Sequence, residues 1–399
     1  MADSPSHIDA FRKTAAVWMG GAVLLLVILT LVGGRWLFSS HRQGRRTSEL
    51  PARWRVSGAS MVPTLYGPSR QANCPTCQRS WKLEMASLNT IADRRLCAHC
   101  GSILTLSEEP LPGELVWLDP SRQSEPIFRG ELVAIHRESE GPFLKRVVGL
   151  PGDTVDVAGD GFHLMINGRR AEDVLWQDDR DRSLPRFLVD QDRARPTSRW
   201  LAEEGSGWRR DEQRQWNLQQ PFASQWLIYR HQSVYDQNRA SAVLDDYQYN
   251  VSATRKLHPV DRFFLSGHCR CPRPAIIEVA FWSAQTTMLA RVRIDQPSKF
   301  QTSYFEAHPT ASLPVSSLRP VALRVLTDGA VTLSSLTIER LIEYRLRRHD
   351  DREIYPVKVG PNRLFVLGDN VPVSVDSRND GLLTTDRLLG RVRTPVSQP

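Results

Sequence analysis

With 399 residues, 41% of them hydrophobic and 24% charged, the chain has the composition of a folded protein and not of a disordered one. Its 26 prolines and 24 glycines imply many turns, which favours a β-rich fold over a helical bundle. The formal charge of +8 suits an anionic partner, but such modest basicity singles out neither nucleic acid nor membrane.

After a tail of residues 1–14, the run AAVWMGGAVLLLVILTLVGG from Ala15 to Gly34 carries no ionisable side chain. A helix of about 20 residues rises about 30 Å, enough to cross a bilayer core. Arg12 and Lys13 precede it and Arg35 with Trp36 follows, so residues 15–38 are expected to form a transmembrane anchor. No small-residue cleavage site follows Gly34, which argues against a removed signal. Arg35, Arg42, Arg45 and Arg46 outnumber the basic residues before the span. Taken alone, that bias would leave the bulk of the chain cytoplasmic.

Beyond residue 50 come short β-type runs ended by Gly, Pro or Asp: ELVWLD, ELVAIH, FLKRVVGL, DTVDV and FHLMING. Together with NRLFVLGDN and RLLGRVR near the C-terminus, they predict a mainly β core from 50–67, 111–171 and 356–399. Residues 68–110 look inserted into it, and so do residues 172–355. Within the second insertion, about 176–220 reads as irregular surface structure. Residues 221–345 bring strand-like pieces such as RFFLSG, AIIEVAFW and VALRVLT, at a spacing that suggests a β-sandwich.

The first insertion carries CPTC and CAHCG, giving C-x2-C-x19-C-x2-C through Cys74, Cys77, Cys97 and Cys100. Two such knuckles can close a tetrahedral thiolate site, so a structural zinc ribbon is expected. A closed site has no position for catalytic water. Disulfides formed in an oxidising compartment are the competing reading. Arg70, Arg79, Arg94 and Arg95 allow a ribbon that binds nucleic acid, a weaker reading than a scaffold. Cys269 and Cys271 read as a buried or free thiol pair.

Three further blocks carry chemistry. In GASMVPTL, Ser60 stands among small residues that permit close backbone approach. In FLKRVVGLPGD, Lys145 lies inside an apolar strand, where burial disfavours the ammonium and lowers its pKa. A serine hydroxyl needs such a base before it can attack a carbonyl. The third block is GDNVPVSVDSR, Gly368 to Arg378.

These blocks, with RGELVAI at Arg129 to Ile135, resemble in order the sequence boxes of type I signal peptidases, a family of Ser-Lys proteases. The resemblance implies Ser60 as nucleophile, Lys145 as general base and Ser374 as the residue that orients the lysine amine. It implies that Arg146, Asp369, Asp376 and Arg378 brace the site, with no cofactor in the chemistry. It also places Val56, Gly58, Met61, Leu65 and Leu144 around shallow pockets for the small residues before a cleavage point. The implied partners are signal peptides of secretory preproteins and the lipid bilayer. The implied location is the plasma or inner membrane, single-pass, with the catalytic part on the outer face, opposite to the charge bias.

Three features depart from the family pattern. Gly58 stands where some members have a serine that donates to the oxyanion. Val371-Pro372-Val373 replaces a common Arg-Asp-Asn, and the Ser60 to Lys145 interval is lengthened by the cysteine-bearing insert. The rival readings are a catalytically inactive membrane-anchored scaffold and a cytoplasmic Ser-Lys autoprotease with a nucleic-acid-binding ribbon.

Overall fold

Short runs in which apolar and polar side chains alternate make strands, and strands dominate this chain. The structure, a computed structural model, describes residues 53–85, 95–119, 125–137, 142–178, 184–195, 197–219, 225–284 and 286–393. Among them the fold is mainly β with few helices, and all strand pairs named below are antiparallel.

A seven-stranded sheet positions the candidate site. Its order is Arg53–Arg55, Leu115–Asp119, Leu388–Arg393, Leu132–Ile135, Phe143–Gly149, Arg363–Leu367, Leu383–Thr384. In Leu115–Asp119 the alternation is plain: Val116 and Leu118 point inward, Leu115 and Trp117 outward. Phe143–Gly149 behaves differently, being buried from Lys145 onward. It pairs with Leu132–Ile135 on one side and Arg363–Leu367 on the other. Val147 joins one apolar cluster, with Val133, Ile135, Leu364 and Val366, while Val148 joins another with Val155, Phe365 and Leu367. Lys145 pairs with Val133 near the start of this strand, one residue before its pairing with Arg363–Leu367 begins, and is left 2% exposed.

A four-stranded sheet, Arg169–Arg170, Leu164–Ile166, Thr154–Val157 and Val357–Lys358, adjoins this strand in sequence. The helix Ala171–Asp178 packs Val174, Leu175 and Trp176 into the cluster that contains Val148.

Two six-stranded sheets come from residues 186–341. One is built around Val331–Leu341 and Phe263–Arg270, the other around Ala275–Ser283 and Val321–Leu326. A single hydrophobic cluster draws on both, including Trp200, Trp216, Phe263, Ile277, Phe281 and Leu323. The expectation of irregular surface structure over 176–220 is corrected here. That segment supplies strands Arg186–Gln191, Trp200–Ala202 and Trp216–Leu218, and its Trp200, Trp208 and Trp216 are buried. Strands of three residues show too little alternation to be read from sequence.

The cysteine segment forms a three-stranded sheet, with Ser69–Asn73 between Ser80–Glu84 and Thr105–Leu111. The expected localisation as a single-pass membrane protein is corrected as well. No helix of the described residues is long and apolar enough to cross a membrane. The expected tail and anchor, 1–14 and 15–38, lie outside those residues.

Candidate active site and metal centre

The loop bearing Ser60 is clamped at both ends to one residue, Glu114. Val56 N donates to Glu114 O at 2.9 Å, and Glu114 N donates to Tyr66 O at 2.8 Å. Inside it, Val62 N donates to Ala59 O at 3.1 Å and Leu65 N to Met61 O at 2.9 Å, so Ser60 sits in a tight turn. Val56, Met61 and Leu65 anchor that turn by packing with Val116, and Leu144 packs against the same cluster. Met61 and Leu65 are each 1% exposed, so in this state they form its floor. Gly58 is exposed, and Ser60 and Leu144 are half-buried.

Lys145 and Arg146 are neighbours with opposite surroundings. Strand alternation turns them to opposite faces. Arg146 is fully buried and binds Asp369 in a fork, Nε to Oδ1 at 2.9 Å and Nη2 to Oδ2 at 2.6 Å. Its Nη1 donates to Gly130 O at 2.8 Å. Asp369 also accepts from Tyr344 Oη at 2.8 Å and from the Thr64 hydroxyl. Lys145 is 2% exposed, with Nζ 5.1 Å from the centre of the Phe143 ring. Among the described residues its amine makes no hydrogen bond, to Ser60 or Ser374 included. Burial pushes its pKa down from 10.5 to about 8, partly offset by attraction to Asp376.

Asp376 and Arg378 make a second buried fork, with Nε to Oδ1 and Nη2 to Oδ2 both at 2.8 Å. Asp376 Oδ2 also accepts from Gly368 N at 3.0 Å, which closes the block on itself. Gly368 is a glycine for reasons of space. A Cβ there would lie 2.0 Å from Ser374 Oγ and 2.5 Å from Ser60 O, so these two oxygens flank one point. The backbone of Ser374 is pinned from two sides, its N donating to Asn370 O at 2.9 Å and its O accepting from Arg347 Nη1 at 2.8 Å. Its hydroxyl is buried without a partner among the described residues. A buried hydroxyl left unpaired carries a free-energy cost that a nearby amine could relieve.

The geometry thus gathers the Ser60 turn, Ser374 and the two arginine–aspartate forks about Gly368, beside the strand that carries Lys145. It adds residues that the sequence reading did not single out. Asn370 is fully buried and holds the turn twice, through N to Ser60 O at 2.9 Å and Nδ2 to Ala59 O at 3.0 Å. Its side-chain amide pairs reciprocally with Asn250, at 2.7 and 2.8 Å. Asn370 stood within GDN and was legible as part of a block. Asn250 carried no signal.

The four cysteine sulfurs lie within 4.8 Å of one another. Cys74 and Cys100 sulfurs are 3.3 Å apart, and those of Cys77 and Cys97 are 3.7 Å apart. Four thiolates about 2.3 Å from a tetrahedral zinc stand about 3.8 Å from each other, so the set fits such an ion. All six cysteines of the chain are free, with Cys269 and Cys271 buried in the large core, so the disulfide reading is not realised. His163, Glu172 and Glu343 also converge, but Arg170 lies 2.5 Å from Glu172 and 3.2 Å from Glu343. That guanidinium already matches the negative charge a cation would need.

No curated protein matches the chain. A solved structure described as that of PfGH50B has a TM-score of 0.22 and 7% identity, which carries no argument about fold or function. The likeness covers 35% of this chain and spans 22% of that structure's own length. The family described as signal peptidase, peptidase S26, matches residues 90–230 and 327–397. Those segments hold Lys145, Arg146, Asp369, Ser374, Asp376 and Arg378; Ser60 precedes them. By a match over more than half its length, this chain belongs to the signal peptidase family, peptidase S26.

Proposed function

We propose that the chain removes signal peptides from secretory preproteins, with Ser60 as nucleophile and Lys145 as general base. The observation that carries this reading is the buried Lys145 amine, which has no hydrogen-bond partner among the described residues and a pKa lowered to about 8. An amine so placed is neutral in a useful fraction of molecules near neutral pH and can accept a proton. Neutral Lys145 takes the Ser60 hydroxyl proton as Oγ attacks the scissile carbonyl, and the protonated amine then serves the leaving nitrogen. Lys145 next activates water to release the acyl group. Ser374 Oγ, unpaired among the described residues, is the group that would take up the amine and hold it in line during the reaction. The Ser60 N–H, which donates to no group among the described residues, serves the oxyanion.

In this reading the core comprises 50–67, 111–171 and 356–399. The ribbon at 68–110 and the sandwich-like part at 172–355 are insertions. A zinc ion held by Cys74, Cys77, Cys97 and Cys100 closes a segment whose own core is small, and takes no part in proteolysis. One zinc per chain by elemental analysis, lost in Cys74→Ser, tests that assignment; a wild-type chain free of zinc contradicts it.

Cleavage of a secretory precursor by the purified chain, beside Ser60→Ala and Lys145→Ala, tests the chemistry. Both variants are expected to be slower by about 10³-fold or more. Equal processing by all three removes the dyad, and no processing by any favours an inactive relative.

A further inference from the structure

Four consecutive residues, 247–250, touch Asp369, the cysteine ribbon and the support of the Ser60 turn, although the proposed chemistry uses none of them. Tyr247 Oη donates to Asp369 O at 3.0 Å, behind the aspartate that binds Arg146. Gln248 grips the second cysteine knuckle with both ends of its amide. Its Nε2 donates to Leu96 O at 3.0 Å, and its Oε1 accepts from Ala98 N at 2.9 Å. Tyr249 O accepts from Glu84 N at 3.1 Å, and its ring meets Tyr66 edge-on at 5.6 Å. Asn250 completes the reciprocal amide pair with Asn370, which in turn holds Ala59 O and Ser60 O.

We infer that residues 247–250 are a positioning strap. Asn250 sets the place of Ser60 through Asn370, and Gln248 makes that grip depend on a folded cysteine ribbon. The inference rests on Ser60 being the nucleophile. Its physical basis is the amide pair. Asn370 has one carbonyl and two N–H groups on its side chain, and Asn250 satisfies the carbonyl and one N–H. Without Asn250 the buried Asn370 carbonyl has no donor, so the amide that holds Ala59 O is free to turn. A nucleophile displaced by about 1 Å loses about a hundredfold in rate. Substrate affinity is expected to change little.

The experiment compares full-length wild type, Asn250→Ala, Asn250→Asp, Gln248→Ala and Ser60→Ala. It measures kcat and KM on one secretory precursor and amide hydrogen exchange at residues 57–61. Asn250→Ala is expected to lower kcat by about ten- to hundredfold with KM within about threefold, and to speed exchange at the Ser60 turn. Asn250→Asp, of equal size, can still accept from Asn370 but cannot donate to it. Its kcat is expected between the two, and it decides the matter if the alanine variant fails to fold. Gln248→Ala is expected to show a smaller loss in kcat, with faster exchange at Leu96–Ala98.

Wild-type kcat and wild-type exchange at 57–61 in the Asn250 variants overturn the strap. If wild type and Ser60→Ala cleave equally, the assignment of Ser60 as nucleophile fails instead. Exchange then decides the strap by itself: faster in Asn250→Ala upholds it, unchanged removes it.

Discussion

The core shared by the two large sheets and the core around Lys145 bury different things. The first buries mainly rings and aliphatic side chains, such as Trp200, Trp208, Phe263 and Phe281, with Asp192 beside Trp216 and paired with Arg210. The second buries Lys145, Arg146, Asp369, Asp376 and Arg378 among fewer apolar groups. Apolar burial stabilises in proportion to area and tolerates many arrangements. Buried charges cost stability unless matched, and a matched pair fixes position. The seven-stranded sheet holds both outcomes on adjacent residues: Arg146 is matched by Asp369, and Lys145 is left unmatched.

That contrast breaks most visibly at Asp369. Asp369→Ala removes the carboxylate that forks onto buried Arg146, and is expected to cost about 3–5 kcal/mol in denaturant unfolding, with loss of cleavage. Trp200→Ala should cost a similar amount, about 3–5 kcal/mol, by opening a cavity in the large core. Its kcat per folded molecule should be unchanged. If kcat falls with stability in both variants alike, the two cores are not separable in function.

Lys145 sharpens the comparison with the opposite sign. Its pKa falls from 10.5 unfolded to about 8 folded, so the unfolded chain binds more protons between those values. Stability therefore rises with pH across that window, and the cost of burying the charge is greatest below it. Lys145→Met is expected to stabilise the protein at pH about 7, by on the order of 3 kcal/mol, while abolishing cleavage. The gain should shrink as pH rises from about 8 to about 10.5. A variant less stable than wild type at neutral pH contradicts an unmatched buried amine.

Much of this was legible in the sequence because it is local. FLKRVVGL reads as a strand whose lysine has apolar neighbours, and the two CxxC pairs read as knuckles. The roles of Ser60, Ser374 and the aspartate–arginine pairs came through resemblance, since partners such as Arg146 and Asp369 leave no local pattern. Asn250 was invisible for the same reason, being paired with Asn370 from a segment with no periodicity. The strands within 176–220 show little in sequence because Trp200–Ala202 and Trp216–Leu218 are three residues long and Arg186–Gln191 has no regular apolar alternation. Met61 and Leu65, expected around a pocket, are buried in a cluster with Val56 and Val116, a depth that sequence does not encode.

The most direct test of a neutral Lys145 acting on Ser60 is the pH dependence of kcat/KM, which reports the base of the free enzyme. Because the neutral amine is the active form, the rate should climb with pH through a midpoint near 8. A midpoint near 10.5, where a lysine in water titrates, or a flat profile from about pH 6 to 10, would contradict the account.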